Sequence, residues 1–381
     1  MQIRLSPEQQ LLQESVRRFA EEVVGPRAKE IDHSGEFPRD VYDQAGELGL
    51  AGVAVPEEYG GAGMDTVSYC LVIEEISRVC ASTGVILSVN NSLVCDPLLA
   101  FGSAEQKQEI LAPLARGERL GCFALTEPGA GSDAASLRTT ARRDGDDYVL
   151  DGEKVFITNG THADLALVFA TLDREQGHKA ITAFAIDTDS PGLRRGGHEV
   201  KLGVNASGTT WLAFEGVRVP ASRRLGGEGG GFKVAMATLD GGRIGIAAQA
   251  VGIAQAAYEA ALAYAQEREQ FGRTLSRFQA IQFYLADMIT ELDAARLLTW
   301  KAAWTKDRGR RYTLEAAQAK LFASEMAQRV TNKALQIHGG YGYTREYNVE
   351  RYFRDARITE IYEGTSEIQK MVIADWVIDR A

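Results

Sequence analysis

The spacing of apolar positions changes twice along the chain and divides it into three parts. Near the start, Leu12, Val16, Phe19 and Val23 recur at intervals of four, three and four, one stripe of an amphipathic helix. Ser6, Pro7 and Gln9 supply its beginning: a capping hydroxyl, a proline at the first helical position and the glutamine of a Ser-x-x-Gln box. Pro26 closes this helix or follows it closely. Further helices are predicted around 38–49, 65–80, 83–101 and 104–116, with the loop YGGAG (59–63) between two of them. From Cys122 the pattern becomes short β-rich runs, CFAL, YVL, KVFIT, LALVFA, ITAFAI and WLAFEGVRVP, punctuated by DGDD, DGEK, NGTH and DSPG. Beyond the glycine-rich LGGEGGG (225–231), alanine-rich helical spacing returns over 233–269, 275–305 and 313–337. Gly272 separates the first two of these helices, Thr313 is a candidate cap for the third, and Gly339 sits where a terminating glycine belongs.

The pattern predicts a mainly α protein with a β middle domain: a helical domain over 1–120, a compact β-domain over 121–228 and a helical bundle over 229–381. Composition fits this reading, with 381 residues, 45% hydrophobic and 25% charged. A formal net charge of −10 argues against a general nucleic-acid or anionic-membrane binder, which needs a basic face. The opening MQIRLSPEQQ lacks an apolar signal core, and no unbroken apolar run reaches the roughly 18 residues that span a bilayer. A cytoplasmic protein without a membrane span is expected. Cys70, Cys80, Cys95 and Cys122 form no Cys-x-x-Cys pair and read as buried free thiols, with no disulfide framework and no metal site.

Candidate chemistry lies in a few segments. GCFALTEPGAGSDAA (121–135) formally matches G-x-G-x-x-A through Gly129, Gly131 and Ala134, but Pro128 and the strand-and-turn texture that follows exclude a Rossmann site. Its small residues still let backbone N–H groups approach a ligand, and Ser132 adds a hydroxyl. LDGGRIG (239–245) puts Asp240 and Arg243 three apart at a helix start, where they share a face. REQFGR sets Arg268 and Phe271 beside a helix break. QIHGGYGY joins Gln336 to the pair Gly339–Gly340, with His338 read as structural. IYEGTSEIQK places Glu363 between Tyr362 and Gly364 just before a helix start; alone it is an ordinary surface carboxylate.

Together FALTEPGAGSD, FITNG, LDGGRIGIAAQAVGIAQAA, REQFGR, FQAIQ, QIHGGYGY and IYEGTSEIQ, in this order and spacing, resemble the acyl-CoA dehydrogenase family over essentially the whole chain. The likeness is strongest to the short-chain (butyryl-CoA) and short-branched-chain members. It implies a barrel-like middle domain, a C-terminal four-helix bundle, one FAD per subunit, an acyl-CoA substrate, electron-transferring flavoprotein as acceptor and a homotetramer. By the resemblance, Phe123, Leu125, Thr126 and Ser132 line the flavin, and Phe156, Ile157 and Thr158 cover one edge of it. Arg268, Phe271 and Gln279, with Gln336, Gly339 and Gly340, reach the adenine and pyrophosphate end, partly from a neighbouring subunit. Thr365 and Glu367 touch the same cofactor. Ser132, Asp240, Arg243, Tyr362 and Gly364 contact the acyl-CoA. Many relatives carry Trp where this chain has Phe156, which keeps an aromatic face and loses the indole N–H.

The implied reaction is α,β-dehydrogenation to a trans-2-enoyl-CoA. Glu363 is the general base for the α-proton, and FAD accepts the β-hydrogen as hydride. A closed apolar pocket beside Tyr362 would strip water from the carboxylate and raise its pKa. In some relatives the base lies on the helix beginning near LDGGR; Gly242 stands at that position here and can take no proton. The alternatives are a medium-chain or 2-methyl-branched dehydrogenase, and an acyl-CoA oxidase that uses oxygen.

Overall fold

The structure, a computed structural model, describes residues 4–378. The outermost three residues at each end of the predicted terminal domains lie outside the described residues. The first helix, Pro7–Phe19, starts on the predicted capping box, with Ser6 Oγ accepting from Gln9 N–H and Gln9 Oε1 accepting from Ser6 N–H. Val16 and Phe19 of its apolar stripe are buried. Arg39–Glu47 and Thr66–Val79 follow as expected, the latter capped by Asp65.

The next helical run, Ala81–Phe101, is long and apolar enough by composition to cross a bilayer, a property the search for unbroken apolar runs missed. It is 78% buried within the protein over its apolar window, so its surface is already matched by core contacts.

The middle domain is one eight-stranded sheet. Its strands are β1 (Gly121–Ala124), β2 (Thr140–Asp144), β3 (Asp147–Ile157), β4 (Leu165–Thr171), β5 (Ile181–Asp187), β6 (Leu193–Arg195), β7 (Thr210–Pro220) and β8 (Arg224–Leu225). They run in the order β6-β7-β3-β2-β4-β5-β8, with β1 pairing parallel to β4. The barrel-like domain is thus an open path of strands whose end members do not pair. YVL and KVFIT are a single strand, and DGE between them is no turn. Gly152, at φ +148°, sits where the β3–β7 register shifts, so a bulge absorbs the irregularity.

The helix Gly231–Glu267 organises the rest. It packs on Thr313–His338 and Gln279–Asp307 and also on Thr66–Val79 of the N-terminal part. One apolar core therefore runs from Ile73 and Ile76 through Val251 to Leu292 and Met326. The two helical domains read separately in the sequence share this core. Thr313 is the first helical residue and makes no cap; its hydroxyl donates to Asp240 Oδ2 at 2.6 Å. Gly339, at φ +61°, terminates that helix as predicted. Four buried, unpaired cysteines match the expectation of free thiols.

Candidate active site

Glu363 lies in a short left-handed turn, with φ +53° at Glu363 and +91° at Gly364, directly before the helix Ser366–Ile378. A positive φ is strained for a residue with a Cβ and persists only where surrounding contacts enforce it. Among the described residues five non-glycine positions show it, and three of them, Phe156, Phe271 and Glu363, were singled out as site residues. Two carbonyls of the turn are held: Gln369 Nε2 donates to Glu363 O at 3.3 Å and Gly364 O at 2.9 Å, and Lys320 Nζ donates to Gly364 O at 2.7 Å.

The turn aims the Glu363 carboxyl at the helix Gly231–Glu267. Any Cβ at Gly242 would overlap Glu363 Oε2 and crowd Leu93 Cδ2. Glycine at 242 therefore does more than withhold a second base; it makes the space in which Glu363 fits. The residue as a whole is only partly buried, yet Oε2 is sealed from solvent and has no hydrogen-bond partner. Burial raises its pKa to about 7, against the opposing pull of Lys320 and then Arg243. An unsatisfied, desolvated carboxylate with that affinity is suited to taking a proton near neutral pH.

Arg243 is 5% exposed and donates to Asp240 Oδ1 at 2.6 Å. Asp240 and Arg243 do share a face, but as a buried pair and not a solvated one, and Arg243 Nε has no partner. Tyr362 donates to Gln249 Oε1, and Gln249 Nε2 donates to Ala81 O at 3.0 Å. Val85, Val89 and Leu93 form a small apolar cluster on which both Phe123 and Tyr362 pack. That cluster brings the start of the TEPGAG loop and the Glu363 turn to one place.

The loop itself is held by a buried ion pair, Lys154 Nζ to Glu127 Oε1 at 2.7 Å. Lys154 Nζ also donates to Leu125 O at 3.1 Å, and Val155 N–H donates to Thr126 O at 2.9 Å, so the loop is tied to β3. Leu125 is buried in the core, and Ile157 turns its side chain into the β-sheet core, leaving backbone groups for a ligand. Thr126 and Thr158 are partly exposed and Ser132 is exposed. Phe156 is 70% exposed at φ +58°, and Gly129 and Gly131 face open space. An exposed aromatic face, open glycine backbone and three accessible hydroxyls form a cradle that fits a planar ring with polar edges, the flavin implied by the resemblance.

The remaining residues form a second surface. Arg268, Gln279, Gln336, Gly339 and Gly340 are exposed, and Phe271 is 94% exposed at φ +53°. Arg268 lies over the Tyr341 ring at 5.6 Å, which joins the two segments. At about 1.5 Å per residue the helix carries the chain roughly 36 Å from Arg243 to Glu267, and roughly 24 Å separate Lys320 from Gln336. Thr365 and Glu367 stay beside Glu363 instead, before and within the first turn of the last helix.

Lys320, Gln249, Gln369, Tyr69 and the Glu127–Lys154 pair were missed in the sequence. Lys320 carried a signal: Ala316, Ala319, Ala323 and Ala327 are the buried stripe of its helix, and Lys320 falls on that stripe.

The chain is similar to known proteins over nearly its whole length. Three family models match: acyl-CoA dehydrogenase N-terminal domain over residues 6–118, middle domain over 122–217 and C-terminal domain over 229–378. The short-chain specific acyl-CoA dehydrogenase, mitochondrial, of Bos taurus is 54% identical, over 98% of this chain and 90% of that one. The butyryl-CoA dehydrogenase structure from Megasphaera elsdenii matches with a TM-score of 0.98 and 46% identity, covering 99% of this chain and 100% of that one. A chain from the structure of the electron transferring flavoprotein of Acidaminococcus fermentans matches with a TM-score of 0.98 and 49% identity, over 99% and 100% of the two chains.

Proposed function

The chain belongs to the acyl-CoA dehydrogenase family and is an FAD-dependent oxidoreductase; from that premise we propose that Glu363 is the base that removes the α-proton of a short-chain acyl-CoA. The observation that carries this reading is the lone, dry Oε2 of Glu363, set against Gly242 beside the apolar Leu93, on whose cluster Tyr362 packs. At a pKa of about 7 the carboxylate is substantially ionised at neutral pH and still basic enough to hold the proton it takes. Gly364 presents no side chain against the substrate's carbonyl end. FAD, when bound, supplies the hydride acceptor for the β-hydrogen. The chain's own share is to dry the carboxyl, to fix its direction through the strained turn, and to align the substrate beside it.

The position of Tyr69 supports a short acyl chain. Three residues past Gly242 on the same helix, a Cβ at Gly245 would overlap the Tyr69 hydroxyl. Tyr69 is buried and hydrogen-bonded to Ser88 Oγ at 2.9 Å, so it is fixed there. Tyr69 also lines a void of only about 10 Å³, together with Val55, Asn91, Ser92, Asp96 and Lys306 among others. Tyr69 thus meets this helix about one turn from Gly242, and as the proposed floor of the acyl site it suits a butyryl-sized chain.

Electron-transferring flavoprotein is the proposed acceptor, supported by the match to the Acidaminococcus fermentans chain. The homotetramer is proposed from the family likeness, supported by the Arg268–Gly340 surface, which lies far along the helices from Glu363. A second copy would bring such a surface to the cofactor. A cytoplasmic location is proposed, in keeping with four buried free cysteines of the kind a reducing compartment preserves. The test is a panel of acyl-CoAs from butyryl to palmitoyl, with isobutyryl and 2-methylbutyryl, read by flavin bleaching with and without electron-transferring flavoprotein. Bleaching strongest with butyryl-CoA supports the reading. A yellow protein that no acyl-CoA bleaches, or one that turns over only with peroxide formation, overturns it.

A further inference from the structure

Lys320 is among the few fully buried charged side chains, at 0% exposure, and the reaction as described does not use it. Its ammonium donates to the carbonyl of Gly364 at 2.7 Å. That carbonyl already accepts from Gln369 Nε2 at 2.9 Å, so a neutral donor meets part of its need. Burying an ammonium merely to hold a carbonyl is costly, because the charge gives up its hydration. The contrast within the same site is informative. Arg243, the other cation near Glu363, is neutralised by Asp240 in direct contact, whereas Lys320 gives its hydrogen bond to the peptide that follows Glu363.

The charged and titratable groups facing Glu363 come from each packed element. They are Lys320 on Thr313–His338, Arg243 on Gly231–Glu267, Tyr69 on Thr66–Val79 and Tyr362 beside it. Glu360 and Glu367 also act on Lys320 by their charge, favouring its protonated form. Lys320 is the one member of this set that holds the turn's backbone and carries a charge acting on the base.

We propose that Lys320 is the positioning residue of this site: its ammonium locks the left-handed Glu363–Gly364 turn through the Gly364 carbonyl and, from behind the turn, favours the ionised carboxylate of Glu363. The inference rests on Glu363 being the base. The ammonium itself is drawn down by burial to about 8, so the clamp weakens as pH rises past that value. Glu363 must be ionised and Lys320 protonated together, which confines the competent state to a window between the two.

The test uses the flavin-loaded protein and three variants. Lys320→Met removes charge and donor, Lys320→Gln keeps a donor without charge, and Lys320→Arg keeps both. The protonated-carboxyl infrared band that Glu363→Gln abolishes is titrated in each, alongside the pH profile of kcat/KM. Lys320→Met and Lys320→Gln should move the Glu363 midpoint upward by about one unit, and Lys320→Arg should largely restore it. The alkaline limb of the rate profile should vanish in Lys320→Gln. An unmoved infrared midpoint in folded Lys320→Gln overturns the proposal. Because the infrared titration needs no turnover, a protein that shows the shift yet oxidises no acyl-CoA would refute the assigned reaction and leave the role of Lys320 standing.

Discussion

The chain buries two Glu–Lys couples, and they are built for opposite ends. At Glu127 both carboxylate oxygens are used: Lys154 Nζ donates at 2.7 Å and Thr139 N–H at 2.9 Å to Oε1, and Arg138 N–H donates at 2.5 Å to Oε2. Burial alone would raise that carboxyl's pKa, but the Lys154 charge and these donors hold it below the usual range. At Glu363 one oxygen has no partner, the nearby lysine is spent on a carbonyl, and burial wins, to about 7. The same two residue types therefore give a staple in one place and a reactive group in the other. What decides is whether the carboxylate's acceptor sites are filled.

The largest expected effect breaks the reactive couple. Glu363→Gln keeps shape and volume but cannot accept the proton, so kcat should fall by about 10³- to 10⁴-fold with FAD retained. Stopped-flow bleaching with butyryl-CoA measures this, and a parental rate would move the base elsewhere. Breaking the staple should act on stability instead. Lys154→Met leaves Glu127 charged and buried without its cation, at a cost of about 3–5 kcal/mol in denaturant unfolding. FAD should also be lost more readily on dialysis, because the TEPGAG loop is released from β3. A variant with parental unfolding and altered substrate preference would contradict this division of labour.

A filled site and an open one also differ in what enlargement does. Tyr69→Ala removes the proposed floor at Gly245 and opens it toward the small void that Tyr69 lines. The ratio of kcat/KM for octanoyl-CoA over butyryl-CoA should rise by about 10- to 100-fold, the range set by apolar contacts of one or a few methylenes. Tyr69→Phe should change it little, since the ring still occupies the floor. An unchanged chain-length profile in a folded Tyr69→Ala protein would place the wall elsewhere.

The sequence revealed periodicity well and interlocking poorly. The capping box of Ser6 and Gln9, the helix stop at Gly339 and the β-runs after Cys122 depend on neighbours in the chain, and they stand where spacing put them. DGEK was misread as a turn because turn residues and bulge residues look alike until the partner strand β7 is present. Thr313 was misread as a cap because its hydroxyl has a better acceptor, Asp240, 73 residues away in sequence. Glu363 was found from its motif and its drying beside Tyr362 was expected, but the groups that build the site around it were not legible. The site also needs Gly242, Lys320 and Leu93, which only folding brings to it.

The smallest expected effect is also the sharpest form of the comparison, because its sign reverses between the two glutamates. Glu363 has a folded pKa of about 7 against an ordinary 4.5, so between those values the native state holds a proton that the unfolded chain releases. Stability therefore declines as pH rises through that window, and the full cost stands above it. Glu127 is depressed in the fold, so its contribution is complete above the ordinary value and is lost as pH falls through the lower one. Glu363→Gln should thus be more stable than the parent by about 1–2 kcal/mol near pH 8, with the gain shrinking towards pH 5, because the partial exposure of Glu363 screens part of the effect. Glu127→Gln should be less stable near pH 8, with the deficit shrinking only in more acidic solution. Differential thermal unfolding across pH reads both. If the two variants moved in the same direction, the contrast between a satisfied and an unsatisfied carboxylate would not be what separates the staple from the base.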